Sequence, residues 1–529
     1  NDNDNNDIAE CDKVPMPEYG VCLIDTVIGT VTVGQFSDDK QRTRLRTMLS
    51  RYLPTEIIFE RNCFSEETYG AIQLIVPQSA KEFLGPTEMP TTSIALNMIE
   101  NGNYYSEGKL PTILQAVIAG HESDSKSVSL ALNAIGGAIW QLKRSLIDHE
   151  ILSMGTVYGY IPPDDHSETV VSTAITSSQS STSSDSSSKI TEQKHMTLDA
   201  VSLANLEILC NNFDRSEKGS LWAFINRCKT PSGTRLLKEW LCNPLYYSKD
   251  ILKRKSAVEE LLTDCSENSK ECRDAMQSIP DLERLLSRVH SNSIKKKATS
   301  HPEGRAIMYE MPIYNKRKIV DFADILSGFE KVLKVMKKFP IDLEIKSSLL
   351  RRAVKPVDEN NPKNGGNFPL NKLTKLLTHF RSIFDEKQAK KDGNIKPNKG
   401  VDEFYDESKD LVATLKNDFD SYLMEQKKNT GISNLCYFGT NKDRYQLEVP
   451  IKDTNKVPSS WSSKSQKKTH RRYWTNEIEK KLALLVKAEK ELEAAQEDVM
   501  RKVFEKFDNN RSVWRDSLAC IALTDALIS

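Results

Sequence analysis

The stretch EIEKKLALLVKAEKELEAAQEDVMRKVFEKF, Glu477 to Phe507, places Ile478, Leu482, Leu485, Leu492, Val499, Val503 and Phe507 on one stripe with charges between them. Apolar residues at steps of three, four and seven mark one face of a helix, about 45 Å long at roughly 1.5 Å per residue. Residues 402 to 428 carry Phe404, Ser408, Leu411, Leu415, Phe419 and Leu423 at similar steps. Matching stripes on both sides of an insert predict two arms packed antiparallel. The insert contains Leu435-Cys-Tyr-Phe438, a five-residue turn from Gly439 to Asp443, and Arg444-Tyr-Gln-Leu-Glu-Val449. This reads as a hairpin with Tyr445, Leu447 and Val449 on one face, so a β element caps a helical pair.

Charge collects on that insert. From Ile451 to Thr475 there are Lys452, Lys456, Lys464, Lys467, Lys468, Arg471 and Arg472 against Asp453 alone, a net +6 over 25 residues. Lys442 and Arg444 add to it from the hairpin. Cations gathered on an otherwise neutral chain have the electrostatics of contact with a phosphate backbone. No recognition helix accompanies them, so contact without sequence reading is expected. The same residues also read as a solvated basic loop, or, in Lys467-Lys-Thr-His-Arg-Arg472, as a localisation signal.

Upstream the pattern changes twice. Tyr19 to Asp25 and Thr30 to Phe36 are β-rich runs separated by Gly29, a hairpin signal. A helical stretch at 40 to 52, a strand at Thr55 to Phe59, and a helix opened by Ser65 and Glu67 follow. The last strong helix of this part runs from Val128 to Ile147 on Leu130, Ala134, Ile135, Ala138, Leu142 and Leu146. Alternation of this kind argues a small α/β domain over residues 18–165. Between Ser177 and Ser188 ten of twelve residues are Ser or Thr, so 166–196 is expected to be a disordered linker or loop. It serves as a passive spacer or, through phosphorylation, as a switch. From Leu198 the pattern is helical almost to residue 434, a predominantly α body.

The chain as a whole has 529 residues, 74 Lys plus Arg and 74 Asp plus Glu, and a mean hydropathy of −0.51. That length suggests three or four domains, at roughly 150 residues each. Net neutrality leaves no global field toward polyanions or membranes, and no apolar run approaches the roughly 18 residues of a spanning helix. The acidic opening NDNDNNDIAECDK lacks a secretory pattern, and reads as a leader at 1–17 of a fragment from inside a longer protein. The ten cysteines contain no C-x-x-C pair and the eight histidines no H-x-x-x-H, so neither a metal site nor a disulfide framework is expected. No G-x-x-x-x-G-K-[ST] loop occurs either. The residue closest to a catalytic group is Asp25, which ends the first strand where an RNase H-like nuclease would hold metal, with Glu60 as a partner. Its plainer reading is the start of a turn before Gly29.

Longer motifs then carry a resemblance. Thr230-Pro-Ser-Gly-Thr-Arg-Leu-Leu-Lys-Glu-Trp-Leu-Cys-Asn-Pro-Leu245 resembles the T-x-x-G-x-R-x-L-x-x-W-L-x-x-P-L signature of the MutS family of DNA mismatch repair proteins. Pro280 to Arg288 (PDLERLLSR) is similar to that family's lever motif. Tyr19 to Asp39, Leu146 to Met154, His301 to Glu310 and Arg444 to Pro450 are similar to its eukaryotic homologue-six branch.

The resemblance runs from about Glu18 to Ser529 and implies a multidomain α/β plus mainly α fold. An RNase H-like connector would occupy 18–165. A helical lever would occupy 197–401 and return over 475–529 as long antiparallel arms, with a small β-containing clamp at 402–474. The clamp would grip double-stranded DNA through Lys442, Arg444, Lys464, Lys467, Lys468, Arg471 and Arg472. Full-length members are nuclear DNA-dependent ATPases that use ATP and Mg, read mismatches and small insertion loops, pair with MutS homologue two and recruit MutL-type proteins. The mismatch reader, a Phe-x-Glu motif, is expected upstream of Asn1. Phe64-Ser-Glu66 fits its pattern inside the connector and is taken as coincidence. The helix around Ile521-Ala-Leu-Thr-Asp-Ala-Leu527 is similar to the segment leading into the ATPase domain. A fragment of this kind is expected to be non-catalytic and to hold no cofactor. A metal-dependent nuclease centred on Asp25 and a protein-interaction scaffold with no DNA affinity are the alternatives.

Overall fold

The structure, a computed structural model, describes residues 16–105, 110–123, 129–164, 195–294, 311–358, 365–440 and 443–529. Most of the leader, nearly all of the Ser-rich tract, the His301 to Glu310 segment and Lys442 lie outside the described residues. The chain forms two compact units. The first comprises Asn1–Ala306, Asp321–Leu377 and Asp508–Ser529, and the second Ile307–Val320 and Thr378–Phe507. Among the described residues no helix is long and apolar enough to cross a membrane.

In the first unit β1 (Glu18–Asp25) and β2 (Thr30–Ser37) pair antiparallel, with Tyr19 opposite Phe36 and Asp25 opposite Thr30. The hairpin read from sequence is therefore present. Gly29 sits at φ +70° between them, where a Cβ would come within 1.8 Å of Met154 Sδ, so both conformation and space require glycine. β3 (Glu56–Glu60) and β4 (Ala80–Leu84) form a separate parallel pair, and β5 (Val157–Gly159) joins β2 in parallel. The helix Leu130–Arg144 covers this sheet. Ser129 caps it by accepting from Leu132 N, and Leu132, Ile135, Ile139 and Leu142 bury against Val31 and Val33 of β2. Its stripe ends at Leu142 rather than Leu146. The chain leaves the helix at Arg144, and Leu146, at φ +60°, is turned into solvent.

Two of the motif segments meet in the helical part of this unit, together with the segment around Asp525. Thr230 caps the helix Pro231–Cys242, its Oγ1 accepting from Gly233 N at 3.0 Å. Asp525, from the helix Arg511–Ile528, in turn accepts from Thr230 N at 2.7 Å, Thr230 Oγ1 at 2.6 Å and Lys229 N at 3.0 Å. A buried carboxylate at a helix N-terminus is favoured by both the free N–H groups and the helix dipole. Gly233 makes room for it, since a Cβ there would lie 2.4 Å from Asp525 Oδ2. Arg235, one turn on, pairs with both Asp281 and Glu283 at the start of the helix Leu282–Ser293. The T-x-x-G-x-R spacing thus serves one cap, one close approach and one ion-pair cluster.

His290 on that second helix is buried, its Nδ1 2.8 Å from Asp508 Oδ2 and its Nε2 2.8 Å from Ser153 Oγ. Burial holds the imidazole below its ordinary range. Burial also works against the charge of Asp508, yet the hydrogen bond from His290 and the Arg511 guanidinium together hold that carboxyl below its own.

The second unit is built on two long helices. The outgoing arm, Glu403–Thr430, is capped by Asp402, which accepts from Tyr405 N at 2.9 Å, carries Lys427 and Lys428 in its last turn and stops at Gly431 with φ +67°. The return arm, Asn476–Asp508, starts under Thr475, whose Oγ1 accepts from Ile478 N at 3.1 Å. Their pairing is antiparallel: Lys502 reaches Asp402, Lys416 reaches Glu489, and Tyr422 Oη lies 2.9 Å from Thr475 Oγ1. The return stripe buries Ile478, Leu482, Leu485, Val499, Val503 and Phe507 as its spacing requires. The outgoing stripe keeps Ser408 and Phe419 buried and Leu415 and Leu423 partly buried, as expected, but departs from its reading at its first turns. There Tyr405 and Val412 face inward in place of Phe404 and Leu411, which are exposed, because the partner's apolar rows meet the neighbouring ridge.

Candidate nucleic-acid interface

At the Thr430 and Asn476 ends of the arms stands a four-stranded antiparallel sheet. β6 (Cys436–Phe438), β7 (Gln446–Pro450), β8 (Ser462–Gln466) and β9 (His470–Trp474) lie in the order β6-β7-β9-β8. Leu447 and Val449 of β7 point inward and are fully buried with Ile432, Leu435, Phe419, Ile478 and Leu485. Each such apolar side chain contributes about 1.5–3 kcal/mol. Tyr445 follows the turn at φ +62° and stacks on Phe419 with ring centroids 4.0 Å apart. Tyr437 donates from Oη to Phe419 O at 2.8 Å, and burial pushes its phenol up, so it stays neutral. Gly439 turns the β6–β7 connection at φ +106°, with no space for a Cβ beside Asp443 O.

The hairpin read at 435–449 is present, but its second strand begins at Gln446 rather than Arg444, since Arg444 and Tyr445 belong to the turn, and β8 and β9 carry no such signal. β8 reads Ser-Ser-Lys-Ser-Gln with every residue exposed, so no apolar alternation marks it. β9, His-Arg-Arg-Tyr-Trp, is buried through Tyr473 and, against expectation for a contact residue, through Arg472. The aromatic pair closing the basic run is the one hint in sequence that it forms a strand.

The sheet sorts the basic residues into two groups. Arg472 is 8% exposed, gives Glu448 Oε1 hydrogen bonds from Nε at 3.1 Å and Nη2 at 3.0 Å, and lies 3.3 Å over the centre of the Phe438 ring. Arg444 makes a two-pronged pair with Glu489 on the return arm. Lys464, the residue bulged out between Ser463 and Ser465, reaches Glu479 at 3.1 Å and lies 4.8 Å from the Trp474 ring. In the second group Lys467 and Lys468 are exposed in the β8–β9 turn, and Arg471 donates from Nε to Ser463 Oγ at 3.0 Å. Among the described residues these three have no carboxylate in ion-pair range. Carboxylate neighbours compensate much of the charge of the first group, whereas the second keeps a cationic edge open to solvent.

The carboxylate candidate Asp25 of the first unit takes a structural place. Asp25 Oδ1 accepts from Val27 N at 2.9 Å and Ile28 N at 3.3 Å, an Asx turn leading into Gly29. No group of three or more His, Cys, Asp or Glu side chains able to hold a metal occurs among the described residues. Phe64 packs on Tyr19 and Phe59, and Ser65 caps the helix Glu66–Ile75 through Thr68 N.

Fold and interface now stand beside known sequences. The profile for MutS domain III matches residues 201–529 and that for MutS domain II matches residues 10–144. The chain belongs to the MutS family. Within it the chain is of the Msh6 type. It is 36% identical over 528 residues to the DNA mismatch repair protein Msh6 of Gallus gallus, covering 97% of this chain and 38% of that protein. The human protein of the same name is 36% identical over 526 residues, 96% of this chain and 37% of its own length. MSH6 of Saccharomyces cerevisiae is 26% identical over 515 residues, 97% and 36% respectively. The chain spans less than two fifths of the length of these relatives.

Proposed function

We propose that this chain is the central part of a mismatch-recognition subunit and that its own contribution is sequence-independent gripping of duplex DNA. In this reading residues 18–165 are the RNase H-like connector, 197–401 with 475–529 the lever, and 402–474 the clamp. The observation that carries it is the set of uncompensated cations, Lys467, Lys468 and Arg471, on the β8–β9 edge of a MutS-family chain. Duplex phosphates supply the missing counter-charge there without any base being read. Lys464 joins them when DNA competes with Glu479. Arg444 and Arg472 hold the sheet together instead, and Lys442 keeps its place as a contact by charge alone.

The whole protein, by the names its relatives carry, acts in DNA mismatch repair. Mismatched double-stranded DNA as ligand, MutS homologue two as heterodimer partner, MutL-type proteins as recruits, ATP with Mg as cofactors and a nuclear location belong to that whole. The chain by itself carries no reaction in this proposal. The test is fluorescence anisotropy with two short labelled duplexes, one fully paired and one with a single mismatch. Equal, salt-sensitive affinity for both supports the reading. Partner binding in a pull-down with no affinity for either duplex would place the chain among interaction scaffolds instead.

A further inference from the structure

We propose that Ser465 is a phosphorylation site, modified by a Ser/Thr protein kinase that selects basic flanks, and that its phosphate releases the β8–β9 edge from DNA. The second half rests on the gripping role proposed above; the first does not.

β8 bonds to β9 on one side and is the outer strand on the other. Residues 462 to 469 are all exposed and those of β8 are extended, the form in which a kinase cleft takes its substrate. The Ser465 hydroxyl makes no hydrogen bond among the described residues, whereas Ser463 Oγ is taken by Arg471 and Thr469 Oγ1 lies 3.0 Å from His470 Nδ1. Lys464 precedes Ser465, and Lys467 and Lys468 follow two and three residues on. An acidic cleft would therefore find its charges on both sides of an unengaged nucleophile.

In the transfer, Ser465 Oγ attacks the γ-phosphorus of MgATP. The Oγ–P bond forms, the bond from that phosphorus to the β-phosphate oxygen breaks, the hydroxyl proton passes to the kinase's carboxylate base, and ADP leaves. The product carries about −1.5 to −2 charges and three strong acceptor oxygens. Ser465 stands directly opposite Arg472, whose guanidinium Glu448 holds, with Lys464 and Lys467 beside it along the chain, so a phosphate there meets these cations while Arg471, opposite Gln466, lies on the other face. A phosphate held there offsets about half or more of the three free charges. At about −0.9 per neutralised phosphate, duplex affinity near 0.15 M salt should fall at least about tenfold and the salt slope should become shallower by about 1.4–1.8.

The experiment has two arms. In the first, the protein is isolated from its own cells under phosphatase inhibitors and peptides spanning Ser462 to Lys467 are mapped. Phosphate on Ser465 is expected, and its consistent absence overturns the site. In the second, genetically encoded phosphoserine is placed at 465, or at the exposed Ser433 beyond β8 and β9 as a control, in the full chain. Weakening at 465, reversed by phosphatase and not reproduced at 433, supports the switch. Equal loss at both positions, or none at 465, overturns it. If the unmodified chain fails to bind duplex, the gripping role falls, and the mapping arm still decides the site.

Discussion

Replacing Lys467, Lys468 and Arg471 together by Ala removes the three described cations of the β8–β9 edge that lack a carboxylate neighbour. Each neutralised duplex phosphate contributes about −0.9 to the slope of log K against log salt, so the triple variant should lose about 2.7 of slope and, near 0.15 M salt, about a hundredfold in affinity. Arg444→Ala and Arg472→Ala delete as much formal charge per site. Because Glu489 and Glu448 already compensate those guanidinium groups, each should change the slope by less than about 0.5. The assay is anisotropy of a labelled, fully paired duplex at several salt concentrations between about 50 and 200 mM, with circular dichroism to establish that each variant is folded. A folded Arg444→Ala variant that loses as much slope as the triple change would refute the division of the basic residues into two groups. An unchanged slope in the triple variant would refute the interface.

Other expectations concern stability and pH. Arg472→Ala leaves Glu448 without its partner under the Phe438 ring and should destabilise the second unit by about 3 kcal/mol in urea denaturation, while Arg472→Met with Glu448→Gln recovers most of it. Asp525→Ala strands the backbone donors of Lys229 and Thr230 and the Thr230 hydroxyl, a loss of about 3–5 kcal/mol in the first unit. Gly233→Ala should be similarly severe, because the new methyl group collides with Asp525. His290 is held below its unfolded value, so the unfolded chain binds the extra proton first as pH drops. Stability of the first unit should therefore fall as pH decreases through about 6.5, and melting of His290→Gln should lose that dependence.

How far the fold could be read in advance depended on where burial left a periodic trace. The return arm was legible because a helix packed along its length keeps one face apolar, as from Ile478 to Phe507. The outgoing arm was legible as a helix and in most of its facing residues, but not at its start. Phe404 and Tyr405 are adjacent aromatics, and only the partner's ridges choose between them. β8 left no trace, since a polar edge strand buries nothing. The cationic character of the insert was plain from composition. Its division was not, because Glu448, Glu479 and Glu489 come to Arg472, Lys464 and Arg444 through strand pairing and arm packing rather than helical spacing. The T-x-x-G-x-R spacing could be recognised, yet its physical cause lies almost 300 residues away in Asp525.

The arms also bear on how this part of the molecule can change. Tyr422 and Thr475 touch where the outgoing helix nears its end and the return helix begins, so the chain leaves and re-enters at one place. A segment whose two ends meet behaves as a cassette. Its loops can grow, shrink or be exchanged for another small sheet without re-threading the helices beneath, and a graft of residues 431–475 onto another antiparallel helical hairpin needs only two splice points.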